Sequence, residues 1–255
     1  MTNSKINSKE LYGKTALITG GSQGLGFVLA KDLASRGTNI IFNYMRSHDK
    51  ARMAEEIINQ YGVECLKIQC NLNNPSSIEK MFEKIQTIFP SLDILINNAA
   101  SGIQKPLLGQ SEKDWDWTLN INTRAPWLCS KNAIHMMKSG GTIINITSLG
   151  SSKVLPYYST IGISKAGIES LTRYMAIELA PKGISVNAVS PGYIDTRALR
   201  QFPNWEDMLN KTNQNPAQRP LEAQDIANVV SFLCSEAASM IRGQVIVVDG
   251  GYSLL

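Results

Sequence analysis

The sequence predicts a single α/β domain: a doubly wound parallel sheet of about seven strands with helices on both faces. Three observations carry that expectation. Short apolar runs alternate with longer segments of helical periodicity, the pattern of repeated βαβ units. A glycine-rich turn joins the first apolar run to the first amphipathic segment. The 255 residues, 43% of them apolar, suffice for one substantial core but are few for two domains.

Residues 1–11 read as a polar tail. Thr15–Thr19 is the first apolar run and the first expected strand, followed by a helical pattern over Leu25–Ser35. Asn39–Asn43 carries Ile-Ile-Phe and reads as the second strand, Ala51–Tyr61 as the helix after it, and Leu66–Gln69 as the third strand. Ile94–Asn97 reads as a buried strand and Glu112–Lys138 as one long helical segment. Gly141–Thr147 (strand), Ser159–Leu179 (helix), Ile184–Val189 (strand), Ala223–Ser235 (helix) and Val245–Val248 (strand) complete the alternation. The stretch Gly192–Pro220 is rich in Asn, Gln, Pro and Arg and lies after a late strand, where open α/β sheets bind ligands. It reads as a mobile substrate lid in which Phe202, Trp205, Met208 and Leu209 cover an apolar tail. The competing reading is a surface helix that buries those residues as its stripe.

A formal net charge of +4 suits an anionic partner such as a phosphorylated cofactor or an acidic carrier protein, and is too small to indicate nucleic acid. No apolar run approaches the roughly 18 residues of a membrane span, and the first twelve residues lack the apolar centre of a signal peptide, so a cytoplasmic protein is expected. Cys65, Cys70, Cys129 and Cys234 fall at no metal-ligand spacing, and with only His48 and His135 beside them no metal site is expected.

The turn reads Gly20-Gly21-Ser22-Gln23-Gly24-Leu25-Gly26. Positions without side chains let backbone approach a pyrophosphate, and the following helix offers free N–H groups and its positive end. The Gly-x-x-x-Gly-x-Gly spacing, Asn97-Asn98-Ala99-Ala100 and Pro191-Gly192 together resemble the short-chain dehydrogenase/reductase family, from about Leu11 to Leu255. The resemblance implies a Rossmann-type sheet and assembly as a homodimer or homotetramer through the long helices and the C-terminal strand. It also implies cofactor contacts from Gly20, Ser22, Gln23, Gly24, Leu25 and Gly26, from Asn71, Leu72, Asn98 and Ala99, and from Lys165, Pro191, Gly192, Ile194 and Thr196. At the end of the second strand no acid stands ready for a ribose 2′-hydroxyl. Arg46 and Ser47 could instead meet a 2′-phosphate, which predicts NADPH over NADH.

The family's catalytic pair is usually Tyr-x-x-x-Lys, but four residues before Lys165 stands Ile161, which has no proton to give. Tyr158 stands seven before, and residues seven apart on a helix share a face within about 20°. Tyr-x6-Lys resembles the enoyl-acyl-carrier-protein reductases of this family. Asn97–Gly102, Asp114–Asn122 and Ile241-Arg242-Gly243-Gln244 are similar to the NADPH-dependent FabL type. By the same resemblance Ser148 and Asn122 occupy the catalytic serine and asparagine positions. Ser148 either hydrogen-bonds a thioester carbonyl or caps the strand end; Tyr157 is a reserve candidate for Tyr158. The resemblance implies hydride transfer from NADPH to the β-carbon of an enoyl thioester, with the acyl chain on an acyl-carrier protein. Two alternatives stand beside it: a ketone or 3-oxoacyl reductase, which Ser148 favours, and a cofactor-sensing binding module without turnover.

Overall fold

A computed structural model describes residues 11–196, 199–212 and 215–255. Of the expected polar tail only Leu11 lies within the described residues. It is buried, and its carbonyl accepts a hydrogen bond from the Thr38 hydroxyl at 3.0 Å.

Seven parallel strands form one sheet: β1 (Thr15–Ile18), β2 (Asn39–Tyr44), β3 (Cys65–Gln69), β4 (Ile94–Asn97), β5 (Gly141–Ile146), β6 (Ile184–Pro191) and β7 (Val245–Val248), in the order β3-β2-β1-β4-β5-β6-β7. The order reverses between β1 and β4, which opens a crevice at the carboxyl ends of those two strands. Alternation within each strand feeds two cores. Ala16, Ile18, Ile40 and Phe42 face one layer with α1 (Gly24–Ser35), α2 (His48–Asn59) and α8 (Ala223–Leu233). Leu17, Ile41, Leu95 and Ile143 face the other, with α3 (Pro75–Gln86), α5 (Ala125–Ile134) and α6 (Ser159–Glu178). This is the single doubly wound domain that the alternation predicts.

Three differences from the sequence reading bear on the site. The helix α3 lies in a stretch with no expected element; its start is set by Asn74, whose side chain accepts from the Ser76 amide, and by Pro75 in the first turn. The segment expected as one helix over Glu112–Lys138 is two, α4 (Glu112–Leu119) and α5, joined by a π-helical turn at Asn120–Arg124. The Gly192–Pro220 stretch is not irregular throughout: it carries a 3₁₀ turn at Leu199–Gln201 and the helix α7 (Trp205–Thr212). Buried Ile161, Leu199, Phe202 and Met208, with Tyr158, Tyr193, Trp205 and Leu209 against them, make a third, small apolar cluster apart from the two sheet cores. Trp205, Met208 and Leu209 of this cluster lie on α7, and Phe202 lies just before it. Among the described residues no helix is long and apolar enough to cross a membrane, and no group of His, Cys, Asp or Glu is placed to hold a metal.

Candidate active site

The glycine-rich turn leaves β1 and enters α1 beside the crevice. Gly24 has φ +57° and faces open space, while a Cβ on Gly26 would lie 2.4 Å from the Gly20 carbonyl oxygen and 2.5 Å from Asn98 Nδ2. The chain is therefore folded as tightly as backbone alone allows, and its outer side is clear for a phosphate. Two asparagines fix the turn: Asn43 Oδ1 accepts from the Gly20 amide at 2.8 Å, and Asn98 Nδ2 donates to the Thr19 carbonyl at 2.8 Å. The Asn98 and Ala99 amides both donate to Thr19 Oγ1, at 2.9 and 3.0 Å, which ties the end of β4 to the end of β1. Ser22 is buried, Leu25 packs on the first core, and Gln23 is exposed as the residue before α1. These positions form a cradle that fits the pyrophosphate side of a dinucleotide.

The other expected cofactor residues lie at or just after the carboxyl ends of β2, β3 and β6. Arg46 is exposed at the end of β2, and Ser47 precedes α2 without spending its side chain on the helix. Asn71 lies after β3, its Oδ1 accepting from the Asn73 amide at 3.1 Å, whereas Leu72 is buried in the second core and offers only its backbone. The Gly192 amide, after Pro191 at the end of β6, donates to the Val248 carbonyl at 2.9 Å. Ile194 packs on the first core, and Thr196 Oγ1 accepts from the Leu199 amide at 3.2 Å.

Tyr158 is the residue that caps α6 by position: its carbonyl accepts from the Gly162 amide, and Ser159 and Thr160 begin the helix. Its ring packs against two partners. A Cβ on Gly150 would come within 2.4 Å of Cδ1, and the ring of Phe202 stacks on it at a centroid distance of 5.8 Å and 29° between planes. Burial raises the Tyr158 pKa, and a side-chain hydrogen bond with Ser148 opposes that rise; the phenol therefore stays a donor at neutral pH. Ser148 Oγ accepts from the Gly150 amide at 3.2 Å and so caps the strand end. Tyr157 is set apart, half exposed with φ +61°. Ile161, where the usual tyrosine would stand, is buried, with Gly102 so close that a Cβ there would lie 2.3 Å from its Cγ1.

Lys165 lies two turns along α6, only 5% exposed, and its Nζ donates to the Ile146 carbonyl at 2.8 Å. Burial lowers its pKa to about 8, with the Glu169 carboxylate acting against the fall. Glu169 in turn accepts from the Thr147 hydroxyl at 2.8 Å. The sign of the pH dependence follows: below about 8 the ammonium is present, and as pH rises through that value the cation is lost while the Tyr158 hydroxyl remains. Cofactor affinity measured against pH is expected to fall on that limb, and Glu169→Gln to move the limb to lower pH.

Asn122 lies in the π-helical turn, fully buried. Its Nδ2 donates to the Ser101 carbonyl at 2.8 Å and to Ser164 Oγ at 2.9 Å, and its Oδ1 accepts from the Ser101 amide at 2.8 Å. The amide is spent on bracing the loop after β4 against α6, which makes Asn122 a positioning residue. Sequence reasoning missed Gly150, Glu169 and Tyr193. The Tyr193 ring joins the cluster around Tyr158 and meets Tyr252 at 5.6 Å, and burial pushes its pKa up to about 12. Gly150 was legible as a glycine two residues after Ser148; nothing in the sequence marks the other two as neighbours of the site.

Residues 20–253 match the family described as Enoyl-(Acyl carrier protein) reductase. A 1-cyclohexenylcarbonyl-CoA reductase of Streptomyces collinus is 35% identical over 95% of this chain and 88% of its own length. A 3-oxoacyl-acyl-carrier-protein reductase FabG of Aquifex aeolicus is 38% identical over 95% of this chain and 98% of its own. Among solved structures, a short-chain dehydrogenase from Burkholderia cenocepacia in complex with NADP superposes with a TM-score of 0.88 at 31% identity, covering 96% of this chain and 99% of that one.

Proposed function

Because the chain belongs to the short-chain dehydrogenase/reductase family, we propose that it is an NADPH-dependent reductase of acyl thioesters whose preferred reaction is reduction of the 2-enoyl double bond, as in the FabL type. The observation that carries the enoyl reading is the replacement of the usual catalytic position by buried Ile161, with Tyr158 displaced three residues to the helix start, paired with Ser148 and on the face of Lys165. When bound, NADPH supplies the hydride. The Tyr158 hydroxyl donates to the thioester carbonyl oxygen, where negative charge gathers as the β-carbon is reduced. The Lys165 ammonium holds the ribose side of the cofactor and adds positive field to the same spot. Asn122 keeps the loop after β4 in place, and α7 with Phe202 covers the acyl chain and excludes water. Exposed Trp127 on α5 and Tyr174 and Ile177 on α6 support assembly of copies through these helices.

The second reading is reduction of a 3-oxoacyl thioester. The names of the relatives favour it over the first: FabG proteins dominate among them, while the Streptomyces collinus relative is named for an unsaturated acyl thioester. The Ser148–Tyr158 hydrogen bond also suits a carbonyl substrate. NADPH oxidation with crotonyl and acetoacetyl thioesters side by side separates the two. Faster turnover of crotonyl thioester is expected; turnover of acetoacetyl alone gives the second reading its place, and turnover of neither leaves a binding module.

The cofactor preference has its own test. Arg46 is exposed at the end of β2 with no acid on that strand end, so Arg46→Ala is expected to weaken NADPH by about 1.5–3 kcal/mol and leave NADH nearly unchanged. Titration of both cofactors into both proteins measures this, and equal weakening would refute the assignment.

A further inference from the structure

We propose that Lys50 is a second cationic contact for the 2′-phosphate of NADPH, held over the glycine-rich turn by Gln23. The proposal rests on the NADPH reading above and adds a residue to it. Two elements meet here, the turn at Gln23 and the first turn of α2 at Lys50, and Arg46 lies between β2 and α2, four residues before Lys50. Gln23 is the N-cap of α1, but its side chain makes no cap hydrogen bond. Its Oε1 instead accepts from Lys50 Nζ at 2.7 Å, across 27 residues of sequence. A long flexible cation is thereby directed back across the mouth of the crevice rather than out along its own helix.

The charges around it leave Lys50 available to an anion. Among the described residues Lys50 makes no ion pair. Its acidic neighbour Asp49 is paired with Arg52, Nη2 to Oδ1 at 3.2 Å, and His48 meets the Tyr44 hydroxyl at 3.3 Å. Lys50 therefore has one neutral amide oxygen as its partner, and a phosphate dianion is the stronger acceptor for an ammonium. The Gln23 contact holds the side chain in place beforehand, which lowers the ordering cost of binding. Together with Arg46 this gives the site two cations on two elements, a planar fork and a point charge, matched to one doubly charged group.

The test is calorimetric titration of NADPH, NADH, adenosine 2′,5′-bisphosphate and adenosine 5′-monophosphate into the full chain and its variants. Lys50→Met keeps the stem and removes the charge. It is expected to weaken NADPH and the bisphosphate by about 10-fold to 100-fold, leaving NADH and the monophosphate within about 2-fold. Lys50→Arg should restore most of the loss. Arg52→Met removes the same charge from the same helix, about 200° around it, and should stay within about 2-fold of native for all four ligands. Unchanged NADPH affinity in Lys50→Met, or equal weakening of all four ligands, overturns the proposal. So does a matching loss in Arg52→Met, which would reduce the effect to net charge. If the native chain binds NADPH no more tightly than NADH, the NADPH reading itself fails, and that result is seen before any variant is made.

Discussion

Replacing Tyr158 by Phe is expected to lower turnover by on the order of 10²–10³, roughly 3–4 kcal/mol of transition-state stabilisation, while NADPH still binds. The ring is packed against Gly150 and Phe202, and neither contact uses the hydroxyl, so the variant should keep its shape. What it loses is the donor to the carbonyl oxygen and the partner of Ser148. Tyr157→Phe should be nearly silent, since Tyr157 is half exposed and turned away by its left-handed backbone. Steady-state rates with crotonyl thioester for both variants decide the matter. A Tyr158→Phe protein that turns over at the native rate would remove Tyr158 from the reaction.

Gly26→Val should cost about 3 kcal/mol of stability, at the upper end of what overpacking does, because the first added carbon already lies 2.4 Å from a carbonyl oxygen of the backbone. For a domain of this size that corresponds to a fall in Tm of about 6–12 °C. The turn can relax only by pushing Gly20 or Asn98 outward, and both belong to the cradle, so NADPH should also restore less of the lost Tm than it adds to the native protein. Melting curves with and without NADPH measure both effects. A variant with native Tm and native response to NADPH would show that the turn is looser than its contacts imply.

The fold was legible because a buried parallel strand must be apolar along nearly its whole length: β1 and β4 stand in the sequence as four-residue apolar blocks or close to it. What escaped was set by features a periodicity search does not weigh. The start of α3 depends on one asparagine and one proline after a polar stretch, and the break between α4 and α5 comes from a π-helical turn inside an unbroken helical pattern. At the site, the seven-residue offset of Tyr158 from Lys165 could be read directly, because both belong to one helix and its geometry converts spacing into direction. Lys50 with Gln23, and Tyr193 with Tyr252, could not. Each pair joins distant parts of the chain, and only the fold brings them to hydrogen-bond or ring-contact distance.

The stacking of Phe202 on Tyr158 has a consequence for how such an enzyme can change. In many enzymes the group that performs the chemistry rests on the rigid frame, and the segment that selects the substrate can be exchanged without disturbing it. On the proposed function, the phenol that would react leans directly on the segment that would select the substrate, and Ile161, beside the same helix start, belongs to the same small cluster as Leu199, Phe202 and Met208. On that function, a substitution at Phe202 that changes the room for the acyl chain should also reset the tilt of the Tyr158 hydroxyl. Selectivity and rate would then be linked parameters: variants chosen for a longer or bulkier chain should carry compensating changes around Gly150, the ring's other packing partner.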